Sequence, residues 1–218
     1  MSGAGFFIVF EGLDGSGKSA VSAHLAELYS QRLGADRALH TYEPNNPSAA
    51  GTYIRDVLEK RIVISTRTLA LAFALNRADH NERVIAPFLN GGAQRVVVCD
   101  RYLMSSLVYQ SDAGLPGGGL SLEEVASFNA AARLPDLTLF LDATPETCYR
   151  RMGARGGERH LYEERLAETR AKYLRVIDWM QARSTRIASI DANDGFEAVI
   201  EGVLAALGRY APPWAALM

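Results

Sequence analysis

Two cysteines, Cys99 and Cys148, are too few for a disulfide framework or a cysteine-based metal site. One falls in an apolar run and the other in a helical pattern, so both read as buried free thiols in a reducing compartment. No apolar run approaches the roughly 18 residues of a membrane span, and residues 1–5 lack the basic flank of a signal peptide. The expected location is the cytoplasm, with no membrane partner. A formal net charge of −2 leaves no basic footprint, which argues against nucleic acid as a partner. Any phosphate ligand must then be met by locally placed arginines rather than by an overall field. Internal repeats and low-complexity segments are missing too, and 218 residues suit one domain with a sizeable core. The 48% hydrophobic and 22% charged content fits an ordinary globular chain.

What is present is an alternation of short apolar runs and longer helical patterns. Strands are expected over 6–10, 38–42, 95–99, 137–141 and 186–190. Helices are expected over 17–33, 50–60, 66–90, 121–133, 145–153, 160–183 and 195–209. Such alternation predicts an α/β fold, a parallel sheet covered by helices on both faces, with ligands beyond the carboxyl ends of the strands. The glycine-rich stretch 114–119 is too short to separate two domains. Residues 150–159 combine Gly153, Gly156 and Gly157 with Arg150, Arg151, Arg155 and Arg159, the composition of a mobile basic segment between helices.

The first expected strand runs into Gly12-Leu13-Asp14-Gly15-Ser16-Gly17-Lys18-Ser19, which fits G-x-x-x-x-G-K-[ST]. A strand, a glycine loop and a helix N-terminus form an anion cradle. Backbone N–H groups and the helix dipole point at phosphates, Lys18 reaches the outer ones, and the Ser19 hydroxyl is placed for Mg2+. The pattern implies a bound nucleoside triphosphate. No N-K-x-D sequence occurs anywhere, which disfavours a guanine-nucleotide switch. Two further motifs follow expected strands. Val96-Val97-Val98-Cys99-Asp100-Arg101 is an apolar run ending in an acid, suited to hold a hydrated Mg2+, and in an arginine suited to grip a phosphate. Thr41-Tyr42-Glu43-Pro44 ends the second strand in a turn, Pro44 restricting Glu43 to extended geometry.

Together these residues resemble the thymidylate kinase family over most of the chain. Its motifs occur here in order: Glu11 to Ser19; Glu43-Pro44; Phe73-Ala74-Leu75-Asn76-Arg77; Asp100-Arg101-Tyr102 through Tyr109-Gln110; and Pro135-Asp136-Leu137-Thr138 through Pro145-Glu146. The resemblance implies a P-loop NTPase three-layer fold, residues 1–218 forming a single domain, with a five-stranded parallel sheet and a short helical lid near 150–163. It implies transfer of the ATP γ-phosphoryl group to dTMP, with Mg2+ held by Ser19 and Asp100. Lys18, Arg101 and the lid arginines Arg155 and Arg159 would be catalytic. For the acceptor it implies Asp14 toward the sugar 3′-hydroxyl, Phe73 and Arg77 toward the base, Ser106 near the base edge, Tyr109 crowding a 2′-hydroxyl, and Gln110 on the same wall. Tyr42 and Arg101 would meet the acceptor phosphate, and Glu43, in the turn after Tyr42, counts among the substrate-binding residues. The apolar surround of helix 66–90 suits the family's helix-packed homodimers.

This sequence departs from the family pattern around the acceptor phosphate. Tyr42 stands where many members have arginine, Asn45-Asn46-Pro47 replaces a common Gly-Gly-Thr, no arginine follows Asp14, and the lid matches D-R-x-E only loosely. A kinase for another or a modified deoxynucleoside monophosphate of the dUMP type, or for a deoxynucleoside, is therefore a competing expectation. An ATP-binding regulator without transfer is a third.

Overall fold

The computed structural model describes residues 5–45, 48–112, 119–153 and 165–217. Five strands, β1 (Phe6–Gly12), β2 (Ala38–Tyr42), β3 (Val96–Asp100), β4 (Leu137–Asp142) and β5 (Ile187–Asp191), form one all-parallel sheet in the order β2-β3-β1-β4-β5. The three inner strands carry the core. Phe7, Ile8, Phe10, Val96 to Cys99 and Leu139 to Leu141 are buried, as continuous apolar runs covered on both faces require. The edge strand β5 alternates instead. The α/β sheet with five parallel strands expected from the sequence is thus present.

Between the strands lie α1 (Lys18–Leu33), α2 (Ala49–Leu58), α3 (Thr66–His80), α4 (Ala86–Asn90), α5 (Leu103–Gln110), α6 (Leu122–Phe128), α7 (Pro145–Gly153) and α8 (Leu166–Gln181), with α9 (Phe196–Tyr210) after β5. The connection leaving β1 travels one way along the sheet, to β2, and the one leaving β3 travels the other way, to β4. Right-handed crossovers then put α1 on one face and α5 and α8 on the other. The crevice where neighbouring strands part company opens beyond Gly12 and Asp100, which places both ends in one hollow. Tail residues brace this layer from behind: the Tyr29 hydroxyl on α1 donates to the Ala215 carbonyl at 2.6 Å, and Arg32 donates to that of Ala216.

Two helices differ from expectation. The single helix expected over 66–90 is interrupted by a π-turn at Asn81–Ile85 before α4. Pro87 has no N–H to give to the carbonyl four residues back, and the Asn81 amide donates to the Arg77 carbonyl at 3.1 Å. The helix expected over 121–133 stops at Phe128, because the Asn129 side chain turns back onto the Val125 carbonyl at 2.8 Å. The first residues of the helix expected over 160–183, and most of the expected lid, lie outside the described residues.

Candidate active site

The loop after β1 is shaped by backbone rather than by side chains. Gly12 has φ +147° and a Cβ there would sit 2.7 Å from the Leu141 carbonyl oxygen. Gly15 has φ +84° and its Cβ would meet the Cys148 carbonyl at 2.6 Å. Only glycine fits either position. Gly17, also left-handed, stands at the N-terminus of α1 and aims the first helical N–H groups into the loop. Lys18 folds back across it, donating from Nζ to the Leu13 carbonyl at 2.7 Å. Burial pushes the Lys18 ammonium down to about 8, with the positive charge of Arg101 acting in the same direction. A polyphosphate in the loop would reverse both effects by supplying negative charge.

Ser19 and Asp100 meet where β3 ends. The Ser19 hydroxyl donates to Asp100 Oδ2 at 2.5 Å, and the buried Asp100 Oδ1 has no hydrogen-bond partner. The Ser16 hydroxyl, inside the loop, is also buried without one. Buried oxygens of this kind take an ordered water, an ion or a ligand. A hard divalent cation that keeps most of its water and is shared with phosphates fits this two-oxygen set. Consistent with so sparse a donor set, the described residues contain no cluster of three or more metal-ligating side chains.

Arg101 follows directly, in a left-handed backbone conformation at φ +68°. Its NH2 group donates to Asp14 Oδ1 at 2.5 Å, which spans the crevice from β3 to the phosphate loop. Its NH1 group donates to the Ser105 hydroxyl at 2.9 Å and the Tyr173 hydroxyl at 3.1 Å, and the guanidinium lies 5.5 Å over the Tyr109 ring. Beneath these groups sits Glu11, fully buried at the end of β1. Burial raises its carboxyl above the usual range, against the opposing pull of Arg101 and of hydrogen bonds from Ser105 and Tyr102.

A cavity of about 200 Å3 opens beside the loop. Asp14, Arg101 and Tyr109 line its loop end, and Phe73 and Arg77 from α3, Gln110 from α5, and Glu43, Pro44, Arg55 and Leu58 from the β2–α2 region line the rest. Phe73 is half-buried and stands apart from the hydrophobic core, so its ring faces the cavity rather than filling the interior. Gln110 is buried, and its Oε1 has no partner.

Arg77 forms the floor. It donates from Nε to Glu43 at 2.8 Å, from NH1 to Ser106 at 3.0 Å and Asn129 at 2.5 Å, and from NH2 to the Tyr102 carbonyl at 3.1 Å. Four of its five N–H donors are therefore occupied. The second Glu43 oxygen meets His80 Nδ1 at 3.2 Å, and His80 Nε2 meets the Thr41 hydroxyl at 2.8 Å. Glu43 thus spends both oxygens on holding α3 against β2.

The cavity brings together Asp14, Glu43, Phe73, Arg77, Arg101, Tyr109 and Gln110 of the expected acceptor residues. Ser106 lies behind the wall as an Arg77 partner. Tyr42, 43% exposed on the edge strand β2, is not among the lining residues, because the pleat turns Thr41 inward and its neighbour outward. Arg155 and Arg159 lie outside the described residues. Sequence reasoning passed over Arg55, Tyr173 and Asn129 as site residues, and it counted Glu11 and Ser105 only as parts of motifs. Arg55 and Leu58, three apart on α2, could have been found from their shared helix face.

A sequence model described as "Thymidylate kinase" matches residues 10–203 of this chain. A putative thymidylate kinase of Treponema pallidum is 35% identical over 210 residues, spanning 94% of this chain and 95% of that relative. A probable thymidylate kinase of Pyrococcus abyssi is 42% identical across 70% of this chain and 72% of its own length. Among solved structures, the thymidylate kinase of Ehrlichia chaffeensis superposes with a TM-score of 0.70 at 24% identity, covering 94% of this chain and 99% of that one, which establishes a common fold. The chain belongs to the thymidylate kinase family.

Proposed function

We propose that this protein transfers the γ-phosphoryl group of ATP to dTMP, giving dTDP and ADP. The observation that carries the reading is the cavity beside the phosphate loop, with Asp14 and Arg101 at its loop end and the Phe73 ring and Gln110 elsewhere in its lining. A monophosphate held at that end would lie beside the γ-phosphate. Phe73 would stack on the pyrimidine, and the Gln110 amide would meet its polar edge.

The acceptor phosphate oxygen is already anionic at neutral pH, so no base is needed to generate the nucleophile. It forms a bond to the γ-phosphorus as the bond to the β–γ bridging oxygen breaks, and ADP leaves with that electron pair. The residues contribute position and charge. Lys18 would lie along the β- and γ-phosphates, the loop N–H groups would cradle the chain, Arg101 would draw the acceptor phosphate to the loop end of the cavity, and Asp14 would accept from the sugar 3′-hydroxyl. Ser19 and Asp100 would hold Mg2+, which supplies charge neutralisation when bound. Arg155 and Arg159 are proposed to add the cation missing beside Asp14, from a lid over about 150–163 within a single domain. Tyr109, kept protonated by burial, is proposed to crowd a ribose 2′-hydroxyl. Tyr42 points away from the cavity lining, which leaves Arg101 as the main acceptor-phosphate cation. Leu71 and Leu75, exposed at 48% and 63% one turn apart on α3, support a homodimer through that helix. The free buried thiols suit the cytoplasm, and among the described residues no helix is long and apolar enough to cross a membrane.

Coupled turnover with dTMP, dUMP, dCMP, dGMP and thymidine tests the assignment. The highest kcat/KM is expected with dTMP. Equal or better turnover of dUMP would transfer the function to the modified-deoxyuridylate reading.

A further inference from the structure

Glu11 is not among the residues that line the acceptor cavity, yet four donors converge on it. Oε1 accepts the backbone N–H of Tyr102 at 2.9 Å and of Ser105 at 3.0 Å. Oε2 accepts the Ser105 hydroxyl at 2.6 Å and the Tyr173 hydroxyl at 3.3 Å. The 2.6 Å contact lies in the range of a charge-assisted O–H···O− bond. A carboxylate is a far better acceptor than a neighbouring hydroxyl, so both hydroxyl protons turn toward Glu11. Each oxygen is left with lone pairs facing outward, and the Arg101 NH1 group donates to those same two oxygens at 2.9 and 3.1 Å. Arg101 has no hydrogen-bond acceptor of its own, so it can bind the hydroxyls only while their protons point elsewhere.

We infer that Glu11 is a positioning residue for phosphoryl transfer. Through Ser105 and Tyr173 it orients the acceptors that aim the Arg101 guanidinium at the acceptor phosphate. The inference rests on the proposed role of Arg101 and extends it one layer into the protein. Glu11 also caps the start of α5, and the two duties fall on different oxygens. That division makes Glu11→Gln a discriminating change. The amide oxygen can keep both backbone bonds, while the amide nitrogen, pressed against Ser105 and Tyr173, must donate where Oε2 accepted. The hydroxyl protons are then driven toward Arg101, which loses both supports.

The test is steady-state kinetics of the full chain, with ATP and dTMP varied separately, beside a melting curve for each variant. Glu11→Gln is expected to lower kcat/KM for dTMP about 10-fold or more, the effect of losing charge-assisted hydrogen bonds, with the KM for ATP held within about twofold. Ser105→Ala and Tyr173→Phe should each give a smaller loss of the same kind. In the Ser105→Ala/Tyr173→Phe background, Glu11→Gln should add little, because the relay is already gone. A purely structural cap predicts the opposite: dTMP constants unmoved in a folded Glu11→Gln protein, a result that overturns the inference. Should Glu11→Gln not fold, Tyr173→Phe decides, since it keeps the ring packed 5.2 Å from Phe140 and removes only the hydroxyl. Unchanged dTMP constants in it sink the relay. Arg101→Ala separates the two layers: unaltered dTMP kinetics there refute the site reading itself, whereas a large loss with a silent Glu11→Gln refutes only the relay.

Discussion

The two halves of the site are built from different material. The triphosphate half is main chain: glycines in left-handed or crowded conformations, helical N–H groups, and one lysine folded onto a carbonyl. The acceptor half is side chain, a buried web in which Arg77, Glu43 and His80 bind one another and reach Ser106, Asn129 and Thr41. A backbone cradle recognises phosphate alone and can be shared by any nucleotide. A side-chain web carries shape and polarity that select one acceptor. Generality and selectivity are thus housed separately, with Asp14 and Arg101 as the seam.

Several substitutions probe this contrast. Lys18→Ala removes the one cationic side chain of the Gly12–Ser19 loop and should abolish turnover in a folded protein; substantial residual kcat would show that the main chain suffices. Arg155→Ala and Arg159→Ala test whether the seam needs a lid cation. An arginine in that role is worth about 10^3–10^5 in rate, so kcat should fall by at least about 10^3 in one of them with ATP affinity nearly kept; equal losses in both parameters would reassign it to ground-state binding. Glu43→Ala leaves a buried guanidinium unpaired, at a cost of about 3–5 kcal/mol, and should lower the melting temperature by about 10 °C. A wild-type melting point would show that the web is dispensable. Phe73→Ala should raise the KM for dTMP about tenfold, as loss of base stacking does, and leave stability nearly unchanged; a large drop in melting temperature would make Phe73 a core residue instead.

The smallest effect concerns protons. Burial pushes the Lys18 ammonium of the free protein down to about 8, and a bound polyphosphate would raise it by supplying negative charge. Sign follows from this: the complex holds more protons than the free protein above about pH 8. ATP binding should therefore take up about one proton per site at pH 9 and almost none at pH 6.5. Calorimetry in buffers of different ionisation heat measures this, and zero uptake at pH 9 would show that the ammonium is already charged in the open loop.

The contrast also explains what could be read in advance. A main-chain cradle needs glycine at fixed spacing, and that spacing is visible in Gly12, Gly15 and Gly17. The five strands were visible for a similar reason, since burial on both faces demands unbroken apolar runs such as Val96–Cys99. The acceptor half was legible only as a roll of residues. Glu43 looked free to meet the substrate because its partners, Arg77 and His80, stand more than thirty positions away. Tyr42 looked equivalent to its neighbours until the pleat turned it outward. Ser105 falls within the Asp100–Gln110 motif but Tyr173 carries no local signature; only the approach of α5 and α8 beneath the sheet end makes them a pair.

The floor and walls of the acceptor cavity also differ in how freely they can change over generations. Arg77 ties α3 to the β2 turn, to α5 and to the end of α6, so replacing it disturbs several junctions together. Phe73, Arg55 and Gln110 each hang from one helix and have few obligations elsewhere. A lineage drifting toward a different acceptor base can revise those three one at a time while the protein stays folded at every step. The buried arginine makes the site evolvable by confining the cost of innovation to its rim.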